Sequence, residues 1–292
     1  MSEWSTTYNE SLIAQIRAWL AEDVGSGDIS TESTIPAGSR SVAVIHAKED
    51  GIIAGLPVAE LVFQVVDPTL AFHARIQEGE RVTRGTVIAE VEGSTHSLLT
   101  GERLALNLMQ RLSGIATKTR SFVDRVGELP VRLVDTRKTT PGHRMLEKYA
   151  VRVGGGANHR FGLYDAVMIK DNHIKGAGGI KAAVSAARKR IPHTMKIEVE
   201  TESFAQIEEA LGAGADIIML DNMVNADMEN AVRHIRGQAP HVIIEASGGV
   251  SLDTVRAIAE TGVDIISVGA LTYSFHALDI SLDLGSKKGA AG

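Results

Sequence analysis

The sequence predicts an α/β protein whose second half is built from repeated βα units. Apolar, β-branched runs alternate there with helical patterns, which is typical of parallel strands buried on both faces. A short internal repeat supports this, because GADII at 214–218 recurs as GVDII at 262–266. Six units predict a (β/α) barrel, complete or incomplete, with a doubly wound open sheet as the alternative. The predicted strands are VRLV (131–134), AVMI (166–169), MKIEV (195–199), DIIML (216–220), VIIEA (242–246) and DIISV (264–268).

Capping residues predict where the helices of this half begin and end. Thr140 is followed by a proline, which predicts a helix that begins at residue 141. Ser203 and Gln206 have the spacing of a capping box. Gly212 and Gly214 are expected to end the helix that this box begins.

The first half has a different pattern. Residues 11–22 form an amphipathic helix, and residues 40–93 alternate strand-like runs with glycine turns, which indicates a small α+β domain. A long helix is predicted over 97–126, with a break near Gly114. Its apolar face packs on its own domain or forms a subunit interface, and the first alternative is favoured. That face contains Leu104, Leu108, Leu112 and Ile115.

Charge is unevenly distributed along the 292 residues, whose formal net charge is −6. Residues 135–175 contain eight Lys and Arg against four Asp and Glu, hence +4, so the remainder carries −10. A basic island in an acidic chain suits a small anionic ligand better than a nucleic acid, which usually meets a basic face or domain.

Composition excludes several other classes of protein. The chain has no cysteine, so disulfides and thiolate chemistry are excluded. No apolar run approaches the ~20 residues of a membrane helix, and the polar N-terminus lacks the features of a signal peptide. We therefore expect a cytoplasmic protein that binds neither nucleic acid nor membrane. The tail GSKKGAAG is expected to be flexible.

The carboxyl ends of the six predicted strands are all polar or rich in glycine. In βα barrels these ends and the loops after them form one mouth, so we expect the residues to converge. Arginine suits bidentate recognition of carboxylate or phosphate, and lysine offers a point charge. His159 and Arg160, which follow three glycines, are expected to complete an anion pocket. The strand-end residues are Thr136, Arg137 and Lys138; Lys170, Asp171, Asn172 and His173; Glu198 and Glu200; Asp221 and Asn222; Ser247, Gly248 and Gly249; and Gly269 and Ala270.

The last two strand ends have the composition of phosphate-binding loops. SGG at 247–249 precedes a helix whose expected N-cap is Ser251, and VGA at 268–270 closes the next strand. Glycine lets backbone N–H groups approach an anion closely. Glu200 and Asp221, on adjacent strand ends, indicate hydroxyl recognition, Mg²⁺ held jointly with a ligand's phosphates, or salt bridges at the barrel mouth. Neither HExxH nor GxSxG occurs, which argues against a zincin or an α/β-hydrolase.

One long block of the sequence resembles a known protein family. The block DTRKTTPGHRMLEKYAVRVGGGANHRFGLYDAVMIKDNHI (135–174) closely resembles the quinolinate phosphoribosyltransferase family. The similarity covers nearly the whole chain. It extends to EDVGSGDIST (22–31), TGERLALNLMQRLSGIAT (100–117), IEVET (197–201), LDNM (220–223), EASGGV (245–250) and SVGALT (267–272).

The resemblance implies a fold, a reaction and an assembly. The fold is an N-terminal α/β sandwich domain (1–115) and an open, incomplete α/β barrel (116–275), with residues 276–292 packing back on the first domain. The reaction transfers phosphoribosyl from phosphoribosyl pyrophosphate to quinolinate with decarboxylation, giving nicotinate mononucleotide, CO₂ and pyrophosphate in NAD biosynthesis. The implied cofactor is Mg²⁺, bound mainly through substrate phosphates, with Glu200 and Asp221 as candidate ligands. The implied assembly is a homodimer.

The family's site residues carry over by motif. Arg103, from GER at an expected helix start, would reach in from the neighbouring subunit, and this rests on the resemblance alone. The choice of Glu200 over Glu198 does so too, since strand alternation puts both on one face. The implied catalytic residues are Lys138, Lys170, Glu200 and Asp221. The implied substrate-binding residues are Arg103, Thr136, Arg137, Lys138, His159 and Arg160 for quinolinate and its surroundings, Lys170, Glu200 and Asp221 for ribose and pyrophosphate, and Ser247, Gly248, Gly249, Val268, Gly269 and Ala270 for the 5′-phosphate.

Three other functions are compatible with parts of the pattern. One is a related pyrophosphorylase acting on another heteroaromatic acid. Another is a Schiff-base lyase with Lys170 or Lys138 as the amine, which the dense cations favour less. The third is a phosphate-ligand sensor without turnover, against which the set of strand-end acids and lysines argues.

Overall fold

Residues 6–285 are described by the computed structural model of this chain, with side chains from residue 10 onward. The predicted flexible tail, apart from its first residue, lies outside the described residues. The chain divides into two compact units, and the divisions fall after Thr117 and after Phe275. The first unit therefore also contains the C-terminal segment that begins at His276. No helix within residues 6–285 has both the length and the apolar character needed to cross a membrane.

The secondary structure alternates strands and helices through most of the chain. The helices are α1 (Thr6–Val24), α2 (Ile29–Thr34), α3 (Leu56–Val66), α4 (Thr95–Val126), α5 (Arg144–Val153), α6 (Asp171–Ala177), α7 (Ile180–Arg188), α8 (Phe204–Ala213), α9 (Asn225–Gln238), α10 (Val255–Glu260) and α11 (Ala270–Tyr273). The strands are β1 (Arg40–Ala47), β2 (Gly51–Ile52), β3 (Ala71–Ala74), β4 (Arg81–Val82), β5 (Val87–Ser94), β6 (Arg132–Val134), β7 (Val167–Ile169), β8 (Ile197–Thr201), β9 (Ile217–Asp221), β10 (Ile243–Ser247), β11 (Ile265–Ser267) and β12 (Ile280–Gly285).

The first unit is an antiparallel sheet with helices, as the α+β pattern predicts. The strand order is β12-β1-β5-β3. Alternate residues of β1 (Ala43, Ile45 and Ala47) are fully buried, so one face of the sheet belongs to the core. Helix α3 packs on β3 and on α1. Strand β12 pairs with β1, so the chain returns to this sheet after leaving the second unit.

The second unit is a six-stranded parallel sheet in the order β6-β11-β10-β9-β8-β7. All six predicted strands are confirmed, with ends that shift by two residues at most. Strands β6 and β7 form the two edges and do not pair with each other, so the prediction of an open, incomplete barrel is confirmed. The outer edge of β6 carries one parallel bridge, between Val134 and Ala157. This bridge places the segment after α5 beside the end of β6.

The short internal repeat, GADII and GVDII, corresponds to a repeated hydrogen-bond arrangement at the amino ends of the strands. The Asp216 carboxylate accepts the N–H of the first residue of β8, at 2.7 Å, and pairs with Arg188 at 2.7 Å. The Asp264 carboxylate accepts the N–H of the second residue of β10, at 2.7 Å, and pairs with Arg236 at 2.5 Å. Each aspartate thus joins the start of its own strand to a neighbouring strand and a helix.

Helix α4 runs without interruption, so the predicted break near Gly114 is wrong. A Cβ atom at this position would lie 2.1 Å from the carbonyl oxygen of His276. The glycine therefore permits a close approach of two backbones and does not end the helix. The apolar face of α4 is buried within the single chain, which confirms the favoured alternative. Its members Leu104, Leu108, Leu112 and Ile115 are at most 9% exposed.

Three predicted helix boundaries also shift. Helix α5 begins at Arg144, because Gly142 has φ +81° and residues 140–143 form a turn. Helix α8 continues through Gly212 and ends at Gly214, which has φ +78°. Ser251 is not the N-cap of α10, because residues 252–254 form a turn first.

The predicted box at the start of α8 is modified. The Ser203 hydroxyl accepts the Gln206 N–H as expected. The Gln206 side chain accepts the N–H of Glu202, one residue earlier than a capping box requires.

Candidate active site

The parallel sheet brings the predicted strand-end residues to one edge. Within the second unit these are Thr136, Arg137 and Lys138 after β6, Lys170 after β7, Glu200 in β8, Asp221 at the end of β9, Ser247, Gly248 and Gly249 at the end of β10, and Val268, Gly269 and Ala270 after β11. Arg103 belongs to the first unit and lies inside α4, eight residues after the helix begins. Its side chain is 57% exposed. The expected helix start at Arg103 is therefore wrong.

A buried ion pair fixes the loop that carries His159 and Arg160. Asp135 and Lys148 are 0% and 1% exposed, and Lys148 Nζ donates to Asp135 Oδ1 at 2.5 Å. The Asp135 carboxylate also accepts from Asn158 Nδ2 at 2.7 Å and from the His159 N–H at 2.8 Å. Burial raises the pKa of Asp135 and lowers that of Lys148, and the opposite charge of each partner counteracts this. The strand end and the loop are thus held by one saturated carboxylate.

The guanidinium groups of Arg137, after β6, and Arg160, in this loop, interact electrostatically. The Nε of Arg137 is buried and has no hydrogen-bond partner among the described residues. Arg160 donates to the carbonyl oxygen of Ala166 at 3.1 Å and contacts the sulfur of Met168 at 3.8 Å. Burial lowers the pKa of Arg160, and the charge of Arg137 lowers it further. Like charges held together in this way favour an anion between them.

His159 lies deeper than the sequence indicates and contacts two buried carboxylates. Its Nε2 is 3.3 Å from Glu198 Oε2 and 3.5 Å from Glu245 Oε2. Burial disfavours the charged imidazole, but hydrogen bonds and charge from both glutamates outweigh burial and raise the pKa of His159 to about 10. The Arg160 N–H approaches Nδ1 at 2.7 Å. An imidazolium cannot accept that bond, so the contact with the Arg160 N–H is a hydrogen bond only when the ring is neutral and protonated at Nε2. The two buried carboxylates favour the imidazolium, because hydrogen bonds between charged groups are the stronger ones.

The structure separates the roles of Glu198 and Glu200. Both side chains lie on one face of β8, as strand alternation requires. Glu198 is 3% exposed and contacts His159, whereas Glu200 is nearer the strand end and accepts a bond from Lys170. Glu200 therefore lies where a ligand at the strand ends can reach it.

Asp221 is held by its neighbour in the chain. Asn222 has φ +54°, the only positive φ among the non-glycine residues described. Its side chain donates to Asp221 Oδ2 at 2.6 Å, and its N–H donates to the carbonyl oxygen of Ser247 at 2.9 Å. Gly248 has φ +92°, and a Cβ there would lie 2.1 Å from Asn222 Oδ1. The ends of β9 and β10 thus interlock through an asparagine and a glycine.

Free backbone donors lie at two neighbouring strand ends. The N–H groups of Gly248, Gly249 and Gly269 have no acceptor in the part of the chain that the structure describes. A Cβ at Gly269 would lie 3.1 Å from Lys138 Cδ. The Lys138 ammonium is exposed and lies 6.0 Å from the centre of the Tyr273 ring. Unpaired N–H groups beside a cation form a suitable site for a phosphate.

Glu200 and Asp221 fit a bound Mg²⁺. They lie at the ends of neighbouring strands, and carboxylate oxygens are the ligands that this ion prefers. Each carboxylate has one oxygen engaged, by Lys170 and by Asn222 respectively. The other oxygen of each remains available to an ion that also binds phosphate.

Sequence reasoning missed three parts of this site. The pair of Asp135 and Lys148 joins residues from a strand end and a helix, and no local pattern indicates it. The sequence predicts Asn222 only as a polar strand-end residue, with no indication of its positive φ. Glu245 left a signal, because it is a charged residue inside an apolar run otherwise read as a buried strand.

A separate cavity of about 240 Å³ opens beside β6, between the end of α4 and residues 155–157. Its lining is mostly apolar or backbone, with Arg132 as the one ionisable residue. It therefore lacks the convergent polar groups of a catalytic site.

Two family models match the chain. The model for the quinolinate phosphoribosyl transferase N-terminal domain matches residues 28–113, and the model for the C-terminal domain matches residues 115–283. Together they cover nearly the whole chain.

Individual relatives agree with the family models. A probable nicotinate-nucleotide pyrophosphorylase [carboxylating] of Synechocystis is 51% identical over 92% of this chain and 91% of that protein. The corresponding Bacillus subtilis protein is 47% identical over 90% of each chain. A crystal structure of NadC from Streptococcus pyogenes superposes with a TM-score of 0.91, at 41% identity, over 98% of this chain and all of that one. This chain belongs to the quinolinate phosphoribosyl transferase family of enzymes.

Proposed function

We propose that this enzyme transfers phosphoribosyl from phosphoribosyl pyrophosphate to quinolinate and releases CO₂ and pyrophosphate. The observation that carries this is the pair of guanidinium groups of Arg137 and Arg160, which share a sheet edge with the free N–H groups of the glycine loops. The two guanidinium groups suit a dicarboxylate, and the free N–H groups suit a phosphate.

The first step joins the two substrates. The pyridine nitrogen attacks C1 of the ribose, the C1–O bond to pyrophosphate breaks, and its electron pair leaves with pyrophosphate. Positive charge develops on the sugar, close to the expected position of Glu200 and Asp221. Lys138 and Lys170 stabilise the negative charge of the leaving group. Removal of one such donor typically costs ~3 kcal/mol in the transition state.

The second step uses the cation that the first step makes. The bond between C2 and its carboxylate breaks, and its electron pair stays at C2, next to the positively charged ring nitrogen. A proton then adds at C2, and nicotinate mononucleotide results. Glycosylation therefore precedes decarboxylation. CO₂ release from quinolinate without phosphoribosyl pyrophosphate would contradict this order.

Mg²⁺ is the proposed cofactor. Glu200 and Asp221 would hold it together with the phosphates of the substrate. When bound, it supplies positive charge that stabilises the departing pyrophosphate.

The proposed assembly is a homodimer in which Arg103 serves the partner's site. Its side chain is exposed, and its ion pair with Glu102, at 3.8 Å, is weak. Mixing Arg103→Ala with Lys138→Ala tests this, since a hybrid dimer contains one intact site. Reassorted dimers should regain about a quarter of wild-type activity. Two variants that stay inactive after subunit exchange would remove Arg103 from the partner's site.

We also propose a cytoplasmic location, which the lack of cysteine supports.

A turnover assay tests the proposed reaction. The protein is mixed with Mg²⁺, phosphoribosyl pyrophosphate and either quinolinate or nicotinate, and products are read by mass spectrometry together with CO₂ release. Nicotinate mononucleotide from quinolinate alone is the expected result. No product from a folded protein that binds phosphoribosyl pyrophosphate would direct attention to another heteroaromatic acid.

A further inference from the structure

The cluster of Glu198, His159 and Glu245 contains more negative charge than a site for a dianion needs. Glu198 and Glu245 are 3% and 1% exposed, on β8 and β10, and β9 lies between these strands. The second oxygen of each carboxylate, Oε1, is buried without a hydrogen-bond partner. Two carboxylates that each keep an unpaired oxygen are costly to bury, and their charge would repel a dicarboxylate substrate. Their presence beside the proposed pocket therefore indicates a role that offsets this cost.

Both carboxylates converge on one atom of His159. Contacts at 3.3 Å and 3.5 Å to Nε2 direct a proton on that nitrogen towards the glutamates. This holds for the neutral ring protonated at Nε2 and for the imidazolium. The opposite ring nitrogen, Nδ1, then faces the N–H of Arg160 at 2.7 Å. The position of the ring therefore determines what the Arg160 N–H meets, and the neutral ring accepts a hydrogen bond from it.

The remaining contacts of His159 fix its backbone and not its ring. Its N–H donates to Asp135, and its carbonyl oxygen accepts from Lys148 at 3.1 Å. The charge of Arg160 acts on Glu198, one of the two glutamates in this cluster. Among the residues that the structure describes, Glu198 and Glu245 are the charged groups in contact with Nε2.

We infer that Glu245 and Glu198 are positioning residues for quinolinate recognition: they set the imidazole of His159, and through it the backbone of Arg160, in the orientation that presents the guanidinium to the substrate carboxylate. This inference rests on the proposed function for its substrate. Neither glutamate needs to touch quinolinate.

The substitution Glu245→Gln separates this role from a purely electrostatic one, because the two predict opposite signs. Glutamine keeps the shape of the side chain and removes one negative charge from below the pocket. If the charge alone mattered, quinolinate would bind more tightly. If Glu245 positions His159, the KM for quinolinate rises about tenfold, the size expected for losing a hydrogen bond to a charged group. The KM for phosphoribosyl pyrophosphate stays unchanged.

Glu198→Gln should act in the same direction, and Glu229→Gln is the matched control. Glu229 is an exposed residue of α9, and none of the contacts of the candidate site described above involves it. All variants are compared by thermal unfolding first, so that a folding defect is recognised. A KM for quinolinate that is unchanged or lower in folded Glu245→Gln overturns the inference.

A second readout does not depend on turnover. Nitrogen-15 signals of labelled histidine, assigned by their loss in His159→Asn, show which ring nitrogen carries a proton. In the wild-type protein Nε2 should keep its proton from about pH 6 to about pH 9. In Glu245→Gln this preference should be lost at the upper end of that range. A wild-type protein that passes this test but does not use quinolinate would refute the proposed function and leave the ring contact established. A ring without the Nε2 proton in the wild type would refute the inference itself.

Discussion

The buried pair of Asp135 and Lys148 offers the sharpest test of how the site is supported. Substitution of Lys148 by Met removes the ammonium and keeps most of the side-chain volume. Asp135, which is 0% exposed, then has only the donors of Asn158 and His159 as hydrogen-bond partners. Breaking a buried pair in this way costs ~3–5 kcal/mol. For a unit of this size the melting temperature should fall by about 10 °C.

The matched control is Lys175→Met, which breaks an exposed ion pair with Asp171 at 3.1 Å. Exposed pairs contribute ~0.5 kcal/mol, so this variant should melt close to the wild type. The double substitution Asp135→Asn with Lys148→Met leaves no buried charge and should be less destabilised than Lys148→Met alone. Melting is followed by circular dichroism at fixed pH. A Lys148→Met protein that melts with the wild type, or a double variant that melts below the single one, would refute the reasoning.

Three further predictions concern the strand ends and the interior histidine. Gly248→Ala places a methyl group 2.1 Å from Asn222 Oδ1 at a residue with φ +92°, and it should raise the KM for phosphoribosyl pyrophosphate at least about tenfold. Its control, Gly212→Ala, has open space around the new methyl group in α8 and should be neutral or stabilise the protein by ~0.5–1 kcal/mol in urea unfolding. Asn222→Ala should lose ~1–2 kcal/mol more stability than Asn222→Gly, because only glycine adopts φ +54° freely, and equal losses would contradict the strain. The raised pKa of His159 contributes stability that is complete below pH 6.5 and is lost as the pH rises towards about 10, so unfolding between these values should show a slope that His159→Asn lacks.

Much of the second unit could be predicted from sequence because parallel strands buried on both faces are continuous apolar runs. The strand ends follow directly, since a polar residue after such a run can only lie at the sheet edge. This argument places Asp221 at the edge, and it places Glu198 and Glu200 there together, so the choice of Glu200 rests on the family resemblance.

What the sequence could not show depends on distant contacts. Gly114 looks like a helix breaker, and its actual neighbour, the carbonyl oxygen of His276, is about 160 residues further along the chain. The burial of Lys148 depends on Asp135, and a lysine in a helix is usually exposed. Glu245 needs His159 from another loop to be tolerated in the interior. Each depends on a tertiary partner, which local pattern does not encode.

The pairing of β12 with β1 has a consequence for synthesis of the chain. About 230 residues separate the two strands, so at ~5–20 residues per second the ribosome needs roughly 10–50 s to supply the partner of β1. During that interval an eight-residue strand has an open edge that can recruit other nascent chains. A message truncated after codon 275 would therefore yield a chain that has every barrel strand but lacks β12, so the edge of β1 would stay unpaired and prone to aggregation.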